Sequence, residues 1–212
     1  MQIPSQPSIN AKLADICIGG SAAPTYLPSY YFENVTGDGK MREFNLIDGG
    51  IVNNNPTLVA MIEVSKQMTK ENPVAHRMHD ERLVVVSIGS GSATNEHKYN
   101  AKMTANWGPL SWVLHNGSSP IIDSLFESGA DMVDYHNNVL FNAIHAQDNY
   151  LRIQDNSLTG VAASLDVATK ENMDNLVKIG LELLKKPASR ADSETGLLQP
   201  IPNMGTNGDV LT

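Results

Sequence analysis

The sequence predicts a layered α/β fold, and three of its features support this prediction. An unbroken β-branched run at residues 83–88 is typical of a parallel strand that is covered on both faces. Two long segments, 56–70 and 169–186, carry apolar residues at helical spacing. A further strand is predicted at 42–47, shortly before the first of these helices, because Leu46 and Ile47 are typical of the end of a buried strand. Strands separated by helices are typical of a sheet with helices packed against it.

The composition is that of a globular protein with one domain. The chain has 212 residues, of which 41% are hydrophobic and 18% are charged, and this length is sufficient to bury a core. Fifteen basic and 23 acidic residues give a net charge of −8, which argues against nucleic acid and against electrostatic capture by anionic membranes. Any lipid contact would therefore involve apolar surface or a pocket. Cys17 is the only cysteine, so an intrachain disulfide and a thiolate metal cluster are excluded.

The junction between the strand at 42–47 and its following helix carries the main indication of chemistry. The apolar run ends at Asp48, and Gly49 and Gly50 follow it. Asn55 and Pro56 then favour the start of a helix, as N-cap and first helical residue. The two glycines permit backbone angles that other residues avoid and let another group approach closely. An acid held in this way is suited to general-base catalysis, although Asp-Gly-Gly after a strand is also an ordinary turn.

This junction resembles the aspartate motif of the patatin family, plant lipid acyl hydrolases with a Ser-Asp dyad. The resemblance runs from about residue 12 to residue 187 and includes five other segments: 15–17, 21–28 (Ser-Ala-Ala-Pro-Thr-Tyr-Leu-Pro), 98–101, 150–154 and 168–172. It implies a central sheet with helices on both faces, a lipid substrate, and no cofactor or metal. It also implies that Asp48 is the general base, with Gly49 and Gly50 allowing the close approach of the nucleophile.

The family's nucleophile lies in a Gly-x-Ser-x-Gly elbow, a pattern that these 212 residues do not contain. Ser21 resembles it superficially because Gly19 lies two residues before it, but Pro24 follows too soon for a long regular helix. We therefore interpret Ser21 as structural. Ser90 and Ser92 fail the glycine spacing. The resemblance thus predicts the C-terminal part of a patatin-like domain, which would be inactive by itself.

Two functions are compatible with these features. In the first, an upstream serine attacks a glycerolipid or phospholipid ester and Asp48 accepts its proton. In the alternative, the chain is a catalytically inactive, truncated storage or interaction protein built on the same sheet. An in-frame Gly-x-Ser-x-Gly upstream would favour the enzyme. Without the other half, a sheet edge and apolar surface would be uncovered, which predicts self-association.

Several further elements are predicted along the chain. Residues 36–40 predict a turn between two strands, and 150–154 a late short strand. Residues 89–92 (Gly-Ser-Gly-Ser) predict a loop at the carboxyl edge of the sheet, near the active-site rim, although such a loop could also cradle a phosphate.

Two helices have predicted core faces. The first covers 120–141 with a break near Gly129, and its apolar residues predict core or the lining of a lipid pocket: Ile121, Ile122, Leu125, Phe126, Ala130, Met132 and Val133. The second is capped by Thr169 and extends to residue 186, with one predicted buried face: Met173, Leu176, Val177, Gly180 and Leu184.

The domain boundary is predicted at residue 187. Residues 1–187 would form the patatin-like part, and 188–212, which lack periodicity, a mobile tail. His76 and His79 form a poor metal site because they lie three apart in a loop without a thiolate.

No targeting or membrane signal is recognised in the sequence. No apolar run reaches membrane-spanning length and the first ten residues lack a signal-peptide core. The compartment, cytoplasm or vacuole, therefore stays open. The glycosylation patterns at Asn34 and Asn116 are not expected to be used without a signal peptide.

Overall fold

The computed structural model describes residues 11–35, 39–71, 83–92, 99–192 and 198–211, with only the backbone at Glu71. The chain divides into two compact units, Met1–Asn54 and Asn55–Thr212. The boundary falls within the domain predicted for residues 1–187. Helices and strands occur in both units, which confirms the predicted α/β class.

The first unit is a helix, a β-hairpin and a short second helix. Its elements are α1 (Leu13–Gly20), β1 (Tyr30–Val35), β2 (Met41–Leu46) and α2 (Gly50–Asn53). β1 and β2 pair antiparallel, which confirms the predicted link between two strands, although residues 36–38 of its turn lie outside the described residues. Phe32 and Phe44 are directly opposite, with ring centroids 4.6 Å apart, a pair that stabilises the hairpin. The Tyr30 hydroxyl donates to Asp15 Oδ1 at 2.8 Å and ties α1 to the hairpin.

The second unit alternates longer helices with short strands. Its elements are α3 (Thr57–Glu71), β3 (Val85–Ile88), α4 (Ala101–Thr104), α5 (Pro109–Val113), α6 (Pro120–Ala143), β4 (Tyr150–Ile153), α7 (Lys170–Lys185), β5 (Ser189–Ala191), β6 (Leu198–Pro200) and α8 (Asn207–Val210). β3 and β4 pair in parallel, as the strand pattern predicts, and β5 and β6 pair antiparallel. Among the described residues every sheet has two strands, so the single central sheet implied by the resemblance is not seen as one sheet.

Single hydrogen bonds confirm the predicted N-caps of α3 and α7. Asn55 Oδ1 accepts from the backbone N–H of Thr57 at 3.2 Å, at the start of α3. Thr169 Oγ1 accepts from the N–H of Asn172 at 3.3 Å, at the start of α7. Each bond satisfies a backbone donor that the helix itself leaves without a partner.

The residues after α7 are more ordered than the predicted mobile tail. Ala188 is fully buried and packs with Leu151 and Ile153 of β4. Its N–H donates to the Gly205 carbonyl at 2.9 Å and its carbonyl accepts from Ile201 at 2.8 Å. β5, β6 and α8 are only three or four residues long. They are too short for a visible hydrophobic period, so no sequence pattern predicted them.

The predicted coverage of β3 on both faces is wrong for the described residues. Ser87 is buried, whereas the Ile88 side chain is 71% exposed and Val86 is also exposed. β3 pairs only with β4 in the described part of the chain. An apolar run therefore identified the strand correctly but not its burial.

α6 differs from its prediction in two respects. It runs without a break through Gly129, because an interior glycine costs a helix only about 1 kcal/mol relative to alanine. Three of its predicted core residues are exposed: Ile121, Leu125 and Met132. Val133 is buried, as predicted, and the other buried positions of its C-terminal half are Asn137, Asn138 and Phe141. The two asparagines are invisible to a hydrophobic pattern.

The buried face of α7 is also displaced from the prediction. Met173, Val177 and Leu184 are exposed. The side that packs inward carries Asn172, Leu176, Ile179 and Leu183. The apolar arc of this helix is wide, so the sequence does not determine which part of it is buried.

A closed ring of five side chains joins α3, β3, β4 and α6. Asp134 Oδ2 pairs with Arg152 Nε at 3.0 Å, and Arg152 Nη1 donates to Ser87 Oγ at 3.0 Å. Ser87 Oγ lies 2.7 Å from Thr57 Oγ1, and the Thr57 hydroxyl donates to Asn55 Oδ1 at 2.7 Å. Asn55 Nδ2 donates to Asp134 Oδ1 at 2.7 Å and closes the ring. Since Ser87 accepts from Arg152 and Thr57 donates to Asn55, the Ser87 hydroxyl donates to Thr57.

Tyr150 adds a further donor to this ring. Its hydroxyl donates to Asp134 Oδ1 at 3.0 Å. Burial and the Asp134 carboxylate raise the pKa of Tyr150 to about 12, so the phenol keeps its proton at neutral pH and remains a donor.

Replacing Asp134 tests whether the ring stabilises the second unit. Asp134→Asn leaves the buried Arg152 guanidinium without its counter-ion, and we expect the free energy of unfolding to fall by about 3 kcal/mol. Urea denaturation of the 212-residue chain measures this loss. The matched control is Asp174→Asn, which breaks the exposed pair of Lys170 and Asp174 and should change stability by less than about 0.5 kcal/mol. Equal losses in the two variants would contradict the account.

Candidate active site

Asp48 lies where the chain leaves β2 and turns into α2. Its backbone N–H donates to the Ala22 carbonyl at 2.9 Å. Its carboxylate Oδ1 accepts from the backbone N–H of Gly50 at 2.7 Å. The segment after α1 therefore holds the backbone of Asp48, and the first residue of α2 holds its side chain.

The Asp48 carboxylate has one engaged and one available oxygen. The residue is half-buried. Within the described residues Oδ2 accepts no hydrogen bond, whereas Oδ1 is held by Gly50. A carboxylate fixed through one oxygen can offer the other to a proton donor in a defined direction, which is the geometry that general-base catalysis requires.

The role of the two glycines differs from the prediction. Gly49 has φ −64° and ψ −16° and Gly50 is helical, so neither occupies the backbone region that favours glycine. A Cβ at Gly50 would lie 3.2 Å from Asp48 Oδ1, whereas a Cβ at Gly49 would have no described atom within 4 Å apart from those of its two chain neighbours. The useful property of Gly50 is therefore clearance for the carboxylate, and unusual backbone angles are not the reason for either residue.

Ser21 occupies a structural position at the end of α1. Its hydroxyl donates to the Cys17 carbonyl at 2.7 Å, and its backbone N–H donates to the same oxygen at 3.1 Å. A nucleophile elbow joins a strand to a following helix, whereas Ser21 follows a helix. These contacts support the interpretation of Ser21 as a helix-capping residue.

Gly19 and Ala22 support the site although no role for them was predicted. Gly19 is buried, and a Cβ there would lie 2.5 Å from Leu46 Cδ1, at the last residue of β2. Ala22 is buried and supplies the carbonyl that binds the Asp48 N–H. The available signal was the run of small residues at 19–23, which permits the backbone of this segment to lie close to β2.

Three of the four backbone amides in the loop after β3 are used within the protein and are not presented to a phosphate. The backbone N–H groups of Gly89 and Ser92 donate to the carbonyls of Ile153 and Asp155 at 2.9 and 2.8 Å. The N–H of Gly91 donates to the Gln154 side chain at 3.3 Å. The loop follows the carboxyl end of β3 as predicted, and its proximity to an active-site rim stays a prediction.

A cavity of about 340 Å³ in the second unit is lined by paired charges. Of its two cations, Arg152 pairs with Asp134, and Lys186 Nζ lies 2.9 Å from Asp155 Oδ2. Burial opposes ionisation of Asp155, but hydrogen bonds from Ser157 and Lys186 prevail and lower its pKa. The charges of this cavity therefore stabilise the fold and leave no cation in reserve for a ligand.

The described ranges contain no group of three or more His, Cys, Asp or Glu side chains that could hold a metal ion. His76 and His79 lie outside these ranges. No helix in them combines the length and the apolar character needed to cross a membrane.

Comparison with known proteins identifies the family. No family model matches the chain. Patatin-like protein 3 of Arabidopsis thaliana is 49% identical over 213 residues, which cover 99% of this chain and 50% of that relative. The chain belongs to the patatin family.

Other patatin relatives show the same partial coverage. Patatin-like protein 2 of Oryza sativa subsp. japonica is 49% identical over 213 residues, covering 97% of this chain and 52% of the relative. Patatin-07 of Solanum tuberosum is 36% identical over 194 residues, covering 89% of this chain and 49% of the relative. This patatin chain spans about half the length of the curated relatives it matches.

Ser21→Ala tests the capping role of this serine. The variant loses one side-chain hydrogen bond at the end of α1, and we expect unfolding to become easier by about 1 kcal/mol. Ser128→Ala removes a comparable hydroxyl, which donates to the Ser124 carbonyl at 2.6 Å, and is the matched control. Neither substitution should change the hydrolysis of a short-chain p-nitrophenyl ester by the 212-residue chain. Ester hydrolysis that Ser21→Ala abolishes and Ser128→Ala spares would show that Ser21 is a nucleophile.

Proposed function

We propose that the whole protein is a lipid acyl hydrolase and that this chain contributes Asp48, the general base of a Ser-Asp dyad. The observation that carries the proposal is the Asp48 carboxylate, fixed through Oδ1 by Gly50 and open at Oδ2, in a chain of the patatin family. Gly49 and Gly50 support the role because they add no side chain beside the carboxylate.

The proposed reaction needs a serine from elsewhere in the protein. These 212 residues contain no Gly-x-Ser-x-Gly pattern, and the relatives are about twice as long as the matched part. The serine Oγ would attack the ester carbonyl carbon of a glycerolipid or phospholipid while Asp48 Oδ2 accepts its proton. Asp48 would then return this proton to the leaving alcohol as the carbon–oxygen bond breaks.

The same carboxylate would serve the second half of the reaction. A water molecule would attack the acyl-serine carbonyl carbon while Asp48 accepts the water proton. Asp48 would then return this proton to the serine Oγ as the acyl carbon–oxygen bond breaks, which releases the fatty acid and the free serine. Both half-reactions pass through an oxyanion, which requires preorganised donors. We place these donors beside the serine, outside this chain. No histidine takes part in the proposed proton transfers.

The alternative is a storage or interaction protein without turnover. The observation that favours it is the missing Gly-x-Ser-x-Gly pattern in these 212 residues. Both functions would use the same fold, so they are separated by activity measurements on the full-length protein.

Asp48→Asn in the full-length protein tests the proposed role. The amide preserves size and can still accept from Gly50, but it cannot take up a proton. We expect kcat for ester hydrolysis to fall at least about a hundredfold, the lower limit of typical general-base contributions. The melting temperature should stay close to that of the parent protein.

Asp15→Asn is the matched control. Asp15 is also a half-buried acid of the first unit, and its carboxylate accepts a hydrogen bond from the Tyr30 hydroxyl. Its substitution should leave kcat unchanged. A well-folded Asp48→Asn variant with near-normal kcat would remove Asp48 from the mechanism. A parent protein without any ester hydrolysis would favour the storage or interaction role.

A further inference from the structure

Two Asn-Gly pairs occur in the chain, and the structure places them in opposite surroundings. The pairs are Asn116-Gly117 and Asn207-Gly208. In such a pair the backbone nitrogen of the glycine can attack the side-chain amide carbon of the asparagine, because glycine has no Cβ that obstructs the approach. Both groups belong to one short segment, so they meet without the entropy cost of bringing two molecules together.

Asn116 and Gly117 form the tip of a tight turn. The residues on either side, His115 and Ser118, exchange backbone hydrogen bonds of 2.9 and 3.1 Å. Both central residues have positive φ, 51° at Asn116 and 80° at Gly117, which is typical of a type I′ turn. Both are exposed, and a Cβ at Gly117 would have no described atom within 4 Å apart from those of its chain neighbours. Water therefore has access to this turn.

The two reacting groups of the first pair are lightly held. Within the described residues the backbone N–H of Gly117 donates to no acceptor. Asn116 Nδ2 lies 3.2 Å from Nε2 of the adjacent His115, and no other polar group of the described residues contacts it. A rotation of the Asn116 side chain toward Gly117 therefore breaks one exposed contact.

The second pair is buried and fixed. Asn207 is 3% exposed. Its Nδ2 donates to the Leu183 carbonyl at 2.9 Å, and its backbone N–H donates to the Lys186 carbonyl at 2.9 Å. A Cβ at Gly208 would lie 3.3 Å from the Leu184 carbonyl oxygen, so the end of α7 packs against this backbone. The same reaction at Asn207 must break a buried hydrogen bond at a position that water scarcely reaches.

We infer that Asn116 is a site of spontaneous deamidation in this chain and that the fold protects Asn207 from the same reaction. The Gly117 nitrogen attacks Asn116 Cγ and loses its proton, and the side-chain amide nitrogen leaves with that proton as ammonia. One water molecule then opens the resulting succinimide at either of its two carbonyl carbons. One opening gives an aspartyl residue, and the other gives an isoaspartyl residue, whose backbone runs through the former side chain. Either product makes the net charge of −8 more negative by one charge.

A second modification competes for the same nitrogen. Asn116-Gly117-Ser118 is a glycosylation acceptor pattern, and a glycan on Nδ2 would occupy the nitrogen that has to leave. The test therefore uses a chain produced without glycosylation. Deamidation takes no part in the proposed proton transfers, so its outcome is independent of the proposed function.

Incubation of the folded 212-residue chain in heavy-oxygen water, at neutral pH and physiological temperature, tests the inference. Samples taken over time are digested and analysed by peptide mass spectrometry, with electron-transfer fragmentation to distinguish isoaspartyl from aspartyl products. We expect heavy oxygen to enter at Asn116 at least about tenfold faster than at Asn207, because Asn207 reacts only when its surroundings open locally. Both product forms should be found at position 116.

The chain unfolded in guanidinium chloride is the matched control, because the two pairs then differ only in their flanking residues. Their rates should converge there, mainly through an increase at Asn207. Asn116→Gln needs a larger and less favoured ring for the same attack. It should remove the modification at position 116 without changing the rate at Asn207, and circular dichroism checks its folding.

Two results would overturn the inference. The first is a rate at Asn116 in the folded chain that is equal to or below the rate at Asn207. The second is a folded chain in which neither pair reacts over a period in which the unfolded chain reacts at both.

Discussion

The ion pair between Asp134 and Arg152 is the interaction on which the second unit depends. Two charges removed from water are costly unless each is paired and hydrogen-bonded. Here the carboxylate also accepts from Asn55 and Tyr150, and the guanidinium also donates to Ser87. The start of α3, the two parallel strands and the middle of α6 are thereby joined through one carboxylate, and any member that is lost leaves another polar group without its partner.

The first unit depends on close backbone approach, and it contains no comparable buried network among its described residues. Gly19 and Ala22 have little or no side chain, which lets the segment after α1 contact the end of β2. The consequence is a hydrogen bond from the Asp48 N–H to Ala22 at the point where the strand ends. Gly50 then orients the carboxylate from the other side. A small number of main-chain contacts thus determines the position of the proposed base.

Local sequence patterns predicted the positions of helices and strands well, but they predicted poorly which side chains are buried. The N-caps Asn55 and Thr169 act through contacts two or three residues away, so they were readable without a structure. The strands at 83–88 and 150–154 were readable from β-branched and apolar runs. The side of α6 or α7 that packs inward depends on distant neighbours. The buried Asn137 and the exposed Met173 could not be inferred from helical spacing.

The site shows the same division between local and distant information. The sequence motif and its resemblance to patatin were sufficient to select Asp48 as the candidate base. The need for a glycine at position 50 is visible only in the structure, where a Cβ at Gly50 would lie 3.2 Å from Asp48 Oδ1. The hydrogen bond between Asp48 and Ala22 joins residues 26 positions apart in the chain. No local sequence pattern predicts such a pairing. Ser21 could be rejected from Pro24 alone, and its hydrogen bond to Cys17 gives the physical reason for a serine there.

We propose Asp48 as the base that deprotonates the nucleophilic serine. The most direct measurement is a crystal structure of the full-length protein, with the nucleophile identified by fluorophosphonate labelling in a parallel sample. The account predicts the Asp48 carboxylate within hydrogen-bond reach of that serine's Oγ, about 2.6–3.2 Å. A serine Oγ that instead contacts a histidine or another carboxylate, with Asp48 out of reach, would contradict it.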